Sequence, residues 1–326
     1  MSRKRVEILT PDRHEEWDAF VRASDEGSLF STSGWLEGVA DSSAIFVVRR
    51  GDRIVAGAPL GVRPLPLGLR LGGHPPLTPY LGVLFEPSEA KPVETCSARK
   101  DALRLLAPAI RDAYHGVQLR FAPGFVDVQP FLWEGFTASV RYTYILSLTT
   151  AEEVWNGMSN TRRSDIRRAE KDGLTIDTGA PFADLWRLVE RTFHRQERRA
   201  GFGAAAGKVD RLLTALERSR TFIAREPSGR AIAGAYICWD WRRAYYLLGG
   251  YDADCSHHGA SALALWHAIR FSKEELGLDA FDFEGSMVRP IERFFRKFGG
   301  DLTPYFEVRR EGRSIRLARR LRGWLR

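Results

Sequence analysis

The sequence predicts an α+β protein built from two copies of one module, and three observations carry that reading. Arg53-Ile54-Val55-Ala56-Gly57-Ala58 reappears as Arg230-Ala231-Ile232-Ala233-Gly234-Ala235, and Leu71-Gly72-Gly73 reappears as Leu248-Gly249-Gly250, both displaced by 177 residues. One shared offset in the same strand-turn-strand context points to duplication. After each Leu-Gly-Gly come a loop, a helical stretch (Ala102 to Arg111; Ser261 to Phe271) and a strand (Val117 to Phe121; Ala280 to Glu284), so each half reads as hairpin, strand, helix, strand. Finally, 326 residues are enough to bury a sizeable core and suit two medium domains.

Ahead of the first copy, Arg13 to Ala23 sets Trp17, Phe20 and Val21 at helical spacing, and Ser31 to Leu36 reads as the capped start of a second short helix. Ala44 to Arg49 and Ile54 to Val62 read as strands joined by Arg50-Gly51-Asp52-Arg53, a Gly-Asp turn. Between the copies, Tyr142 to Leu148 is expected as a strand and Trp155 to Lys171 as a basic helix capped by Ser159 or Asn160. Its Arg162, Arg163, Arg167, Arg168 and Lys171 form either a solvated face, salted with Asp165, Glu170 and Asp172, or a phosphate contact. Phe182 to Gln196 follows as an amphipathic helix, then Glu197 to Gly203 as a glycine-hinged loop whose two arginines and phenylalanine suit a substrate lid.

Composition narrows the class. No apolar run approaches the roughly 20 residues of a membrane span, and Met1 to Arg5 is basic without the apolar stretch of a secretory signal, so a cytoplasmic protein is expected. Cys96, Cys238 and Cys255 include no CxxC pair and fit a reducing compartment. Of the net charge of +8, residues 308–326 hold eight arginines against one glutamate. The charge is therefore a local anionic contact at the C-terminus rather than a nucleic-acid coat.

The chemistry concentrates in Phe281-Asp282-Phe283-Glu284-Gly285-Ser286. On a strand, Phe281 and Phe283 point one way and the carboxylates of Asp282 and Glu284 the other, where burial and mutual repulsion raise at least one pKa toward that of a base. Asp282 also reads as a brace for the following loop, and the whole stretch as a solvated edge. In the second copy, His257-His258-Gly259-Ala260-Ser261-Ala262 leads into the helix, so the N–H groups of Gly259, Ala260 and Ser261, with His258 beside them, are candidates to hold a donor pyrophosphate. The first copy has Glu94 to Asp101 there, without glycine, and Pro64, Pro66, Pro75, Pro76 and Pro79 stiffen the segment before it. It reads as non-catalytic. Adjacent His257 and His258 point apart, with no other His or Cys at ligand spacing, so no metal is expected.

The pattern Trp155…Arg163…Ile166-Arg167-Arg168-Ala169-Glu170-Lys171…Gly173, the strand end Asp282-Phe283-Glu284-Gly285 and the final Phe298-Gly299-Gly300 resemble the Fem-type (FemAB-like) peptidyltransferases and their CelD-like N-acyltransferase relatives. That resemblance implies two tandem GNAT-like acyltransferase domains, each a mixed, mostly antiparallel sheet flanked by helices. It places a non-catalytic domain at 1–147, a domain with the donor site and catalytic residues at 148–307, and a basic amphipathic tail at 308–326. It implies transfer of an acyl or aminoacyl group to an amine, often of an envelope precursor, from acyl-CoA or aminoacyl-tRNA. Members using aminoacyl-tRNA often carry a long helical arm in the second domain, for which Arg198 to Leu212 leaves no room, and this favours acyl-CoA. The family's aromatic-Lys-x-x-Phe-Gly pattern meets Phe295 at the lysine position, with Arg296 and Lys297 alongside.

The expected catalytic set is Asp282, Glu284 and Tyr251, and the expected substrate contacts are Arg199, Phe202, Tyr305 and Lys297. The readings are an acyl-CoA-dependent N-acyltransferase acting on an envelope or polysaccharide precursor, a tRNA-dependent peptidyltransferase acting on a peptidoglycan precursor, and a non-catalytic binder of carbohydrate or lipid precursors. On a helix, Leu317, Leu321, Trp324 and Leu325 share one side and the arginines another, which suits an anionic membrane carrying a lipid-linked saccharide acceptor, with tRNA as the rival partner.

Overall fold

The computed structural model describes residues 4–195, 200–252, 254, 257–285 and 287–317. Arg199, Cys255, Ser286 and the tail positions Leu321, Trp324 and Leu325 lie outside the described residues. The chain forms two units, one of residues 1–141 and 304–326, the other of residues 142–303.

In the first unit, β1 (Lys4–Ile8) is followed by α1 (His14–Ala23) and α2 (Ser33–Val39), then by β2 (Ser42–Arg50), β3 (Arg53–Pro64), β4 (Arg70–Gly73) and the short β5 (Leu84–Phe85). α3 (Pro92–Ala113), β6 (Gly116–Arg120) and α4 (Gln129–Trp133) complete the module. β1, β2, β3 and β4 pair antiparallel in that order, and β4 then pairs parallel with β6. The β2–β3 turn uses Gly51 at φ +65, a conformation other residues adopt only with strain. Thr32 caps α2 by accepting the Trp35 N–H, and Trp17 and Trp35, both fully buried, donate to the Ser31 carbonyl and the Thr78 hydroxyl. Arg49 is also fully buried, and its guanidinium donates to Glu7 at 2.6 Å, to Glu16 at 2.8 and 2.9 Å and to the Asp52 carbonyl. α3 begins ten residues before the expected Ala102, because its first turns are polar and solvent-facing and leave no apolar periodicity to read.

The chain then forms β7 (Thr137–Ser147), α5 (Ala151–Gly157) and α6 (Asn160–Lys171). The single basic helix expected here breaks at Met158, and Ser159 caps α6 by accepting the Arg162 N–H. The second module follows as β8 (Thr175–Thr178), α7 (Phe182–Arg195), α8 (Gly203–Ala215), β9 (Ser219–Arg225), β10 (Ala231–Trp239), β11 (Arg243–Tyr251), α9 (Ala260–Glu274), β12 (Ala280–Asp282) and α10 (Arg289–Arg296), before β13 (Asp301–Glu311). β8, β9, β10 and β11 pair antiparallel, and β11 pairs parallel with β12. Residues from α5, α6, α9 and α10 share one apolar cluster with β10 and β12.

Both modules therefore run strand, helices, three antiparallel strands, helix, parallel strand, short helix. Their registers differ. The shared offset would set Gly57 opposite Gly73, matching Gly234↔Gly250, but Gly61 stands there and Gly57 faces Leu84 of β5.

The units also meet the chain at other points than 147 and 307. Ile145, Leu146 and Ser147 of β7 pair with β12, so the second unit starts at Tyr142, and Glu307 to Glu311 of β13 pair with β6, so the first unit resumes at Pro304. The tail is thus not helical from Val308: residues 308–311 are strand, residues 313–317 helical. Ile315 is buried and Leu317, placed on the expected apolar side, is exposed. Among the described residues no helix is long and apolar enough to cross a membrane.

Candidate active site

The site is built where β11 and β12 part. Their parallel register ends at Tyr245↔Asp282, while β11 runs on to Tyr251 and the chain beyond Asp282 stays with β7, the Phe283 N–H donating to the Tyr144 carbonyl. Alternation along β12 buries Phe281 and Phe283 together with Phe295 and Phe298, with ring centroids 5.2 to 5.6 Å apart. The same alternation turns Asp282 to the other face, fully buried.

There Asp282 accepts the Thr143 hydroxyl at 2.6 Å and the Glu284 N–H at 2.8 Å, with the Arg243 guanidinium at 3.7 Å. These contacts tie Asp282 to β7, to β11 and to the backbone two residues on. Glu284 takes φ +55, which costs a non-glycine residue about 1–2 kcal/mol, and Gly285 follows at φ +66. A Cβ on Gly285 would lie 2.0 Å from the Tyr142 carbonyl oxygen, so the turn requires glycine there. Strand geometry therefore stops at Asp282, two residues short of the expected end. Glu284 is half-buried with its Oε1 buried.

Sequence reasoning missed the groups around this pair. Asp240 accepts the Arg242 and Arg243 N–H groups at 2.7 and 2.9 Å and the Tyr245 hydroxyl at 2.8 Å, tying the β10–β11 turn to the strand. Burial first, then the Asp240 charge, pushes the Tyr245 hydroxyl well up; burial, Glu284 and Asp240 do the same to the Cys238 thiol, which makes it an inert core group. The Tyr144 hydroxyl donates to Glu292 at 2.7 Å and is pushed up to about 12, by burial first and Glu292 second. A threonine and an arginine spaced to share the face of Asp282 were the available signal, but the partner strands had to be known first.

Of the expected donor cradle, the N–H of Gly259 donates to His257 Nδ1 at 3.2 Å and that of Ala260 to the His257 carbonyl at 3.3 Å. The intrahelical pattern leaves the amides of Ser261 and Ala262 without a partner within the helix. Gly259 is required by packing: a Cβ would lie 2.1 Å from the Asp165 carbonyl oxygen of α6. His258 is exposed, and His257 Nε2 lies 3.2 Å from Asp172. Gly250 lets β11 touch the α7 backbone, where a Cβ would fall 2.4 Å from the Val189 nitrogen, and Gly249 lies under the Tyr246 hydroxyl.

The other expected residues separate. Tyr251 is half-buried at the end of β11, and its backbone exchanges hydrogen bonds with the Thr192 hydroxyl of α7. Phe202 packs edge-on against Trp186 and Phe193, with both centroids 5.5 Å away. Lys297 ends α10, its carbonyl accepting the Ser159 N–H. Tyr305 belongs to the first unit, where it is buried edge-on against Tyr80 and accepts from Arg141 Nε at 3.3 Å. Arg162, expected in a solvated face or a phosphate contact, is buried between Phe294 and Phe298, 4.2 and 4.6 Å from their rings, donates to the Phe294 carbonyl, and is lowered to about 10 by burial.

Residues 157–296 match the family model of the GNAT-type acetyltransferase domain. That match lies within the second unit. Among solved structures, the chain is similar to FemX (16% identity, covering 93% of this chain and 96% of that one, TM-score 0.66). It is also similar to a tandem GNAT protein from the clavulanic acid biosynthesis pathway (13% identity, 94% and 98%, TM-score 0.57) and to L-PGS from Bacillus licheniformis (14% identity, 96% and 95%, TM-score 0.52). At these identities the likeness establishes the fold, and because it spans nearly the whole chain it gives both units the GNAT architecture. A comparison with curated proteins finds no match.

Proposed function

We propose that this acyltransferase moves an acyl group from acyl-CoA to an amine, with the thioester seated between β11 and β12 and Glu284 as the base. The observation that carries the reading is the parting of those strands after Tyr245↔Asp282 beside a half-buried carboxylate held in a strained turn. The amine nitrogen attacks the thioester carbonyl, Glu284 takes the proton the nitrogen sheds, and the tetrahedral intermediate collapses with the thiolate leaving and an amide formed. Asp282 does not touch the substrates in this scheme; it fixes the N–H of Glu284 and so the direction of its side chain. The Ser261 and Ala262 amides, at the positive end of α9, favour the donor's phosphates.

The acceptor we infer is an amine of an envelope or polysaccharide precursor, a reading supported by the likeness to FemX and L-PGS. A second reading, an aminoacyl-tRNA donor, draws support from exposed Arg167, Arg168 and Lys171 on α6, the helix against which the start of α9 packs. Thiol release from acetyl-CoA, measured with amino-sugar and peptide amines, tests the first reading. Release that needs no amine, or activity only with charged tRNA and falling steeply with salt, overturns it.

A further inference from the structure

We infer that Thr143 is a positioning residue for Glu284, acting through Asp282, an inference that rests on Glu284 being the base. Thr143 lies on β7 beside the turn and is fully buried, as is Asp282. Its hydroxyl has one proton to give. That proton goes to Asp282 Oδ1 at 2.6 Å rather than to the Tyr144 carbonyl at 3.4 Å, and a hydrogen bond to a carboxylate is of the strong, charge-assisted kind. The same Oδ1 accepts the Glu284 N–H at 2.8 Å. Hydroxyl and amide thus converge on one oxygen, and the Asp282 rotamer that serves Glu284 is the one that Thr143 selects. Branching at Cβ leaves the threonine few rotamers of its own, so the selection starts from a stiff side chain.

The turn needs such support. Among the described residues two glutamates take nearly the same left-handed φ, Glu217 at +53 and Glu284 at +55. Glu217 follows α8, where its own N–H and that of Arg218 return to the Thr214 and Leu213 carbonyls, an ordinary way for a helix to end. Glu284 follows a strand and has no helix end to lean on; its N–H goes to the Asp282 carboxylate instead. β7 backs the turn a second time, since a Cβ on Gly285 would lie 2.6 Å from the Thr143 Cα. Without the hydroxyl, Asp282 is free to swing toward the Arg243 guanidinium, 3.7 Å from its Oδ2, and to release the amide. Glu284 then relaxes out of the left-handed region, and its carboxylate loses its aim at the acceptor nitrogen.

Amide hydrogen exchange of the full chain, followed by NMR without donor or acceptor, tests this in Thr143→Val, which keeps the shape and loses the hydroxyl, and in Thr143→Ser, which keeps the hydroxyl. The Glu284 amide is expected to exchange at least tenfold faster in Thr143→Val and at the parent rate in Thr143→Ser, while the Phe283 amide, held by the Tyr144 carbonyl, stays protected in both. In acyl transfer, Thr143→Val should lower kcat by about 10²-fold with the KM for acetyl-CoA within twofold, and Thr143→Ser should restore it. An unchanged Glu284 amide in Thr143→Val overturns the inference, as does faster exchange with undiminished kcat. Equal loss of protection at Phe283 and Glu284 also overturns it, because the contact is then purely structural. Should Thr143→Val not fold, Thr143→Cys replaces it in the same comparison. A parent chain without acyl transfer brings down the reading of Glu284 as base, while the exchange rates still decide whether Thr143 holds the turn.

Discussion

The same parallel strand pair is closed in one unit and open in the other. In the first, β4 is paired with β6 to its last residue, Gly73↔Gln118, and the chain that follows lies along β6: the Arg120 N–H donates to His74 Nε2 at 2.8 Å, and the Leu81 N–H donates to the Arg120 carbonyl at 2.8 Å. Gly82 sits so close to Phe121 that a Cβ would meet its ring at 2.6 Å. In the second, β11 outruns β12 by six residues, and a left-handed Glu284–Gly285 turn stands where the pairing stops. One architecture thus yields a third strand paired to its last residue in one unit and a third strand that outruns its parallel partner in the other. The fold alone does not make the site.

Four measurements break or sharpen that contrast. The largest effect is expected at the open seam: Glu284→Gln should lower kcat by about 10²–10⁴-fold at an unchanged melting temperature, the usual contribution of a general base. Gln118→Ala, at the end of the closed seam, should leave kcat within twofold; equal losses in the two variants would dissolve the distinction.

Next comes the brace. Removing one partner of a buried charged cluster costs about 3–5 kcal/mol, so Asp282→Ala should lose that much in urea unfolding and lose activity with it. Activity lost at full stability would instead make Asp282 the base.

The closed seam has its own signature in pH. Burial, followed by the Arg120 charge, depresses His74 from 6.5 to about 3. As pH falls below 6.5 the unfolded chain takes a proton that the folded one refuses, so stability drops, by up to about 1.4 kcal/mol per pH unit, until pH 3. His74→Gln should flatten that part of the stability curve, and an unchanged slope would show that the imidazole is not sealed in. The smallest effect is expected from the tail: ending the chain at Leu317 removes four arginines worth about 1 kcal/mol each at an anionic surface, and should reduce flotation with anionic vesicles at low salt. Equal flotation of both forms would leave the membrane out.

Legibility followed locality. The hairpins, the apolar alternation of Phe281 and Phe283 and the order of elements were readable, because each is set by residues a few positions apart. The prolines between Pro64 and Pro79 and the missing glycine before α3 marked the first copy as different, without revealing the route of the chain that fills its seam. Buried cations were not legible, for a physical reason. Glu16 and Phe294, the groups that permit the burial of Arg49 and Arg162, lie 33 and 132 residues away from them. The Thr143 partner of Asp282 lies 139 residues away in the same way, and the left-handed turn at Glu284 breaks the local preference of glutamate, so nothing in the residue itself announced it.

The crossed ownership of the two closing strands bears on how the nascent chain matures. The strand made after the first module's last helix, β7, pairs through Ile145, Leu146 and Ser147 with β12 of the second unit, while β6 waits for β13, with Arg120 and its partner Glu307 187 residues apart. Until those last strand residues leave the ribosome, the side of β6 reserved for β13 is a row of unpaired amides and carbonyls, the kind of edge that recruits other chains. The unit that is synthesised first is the one that is finished last.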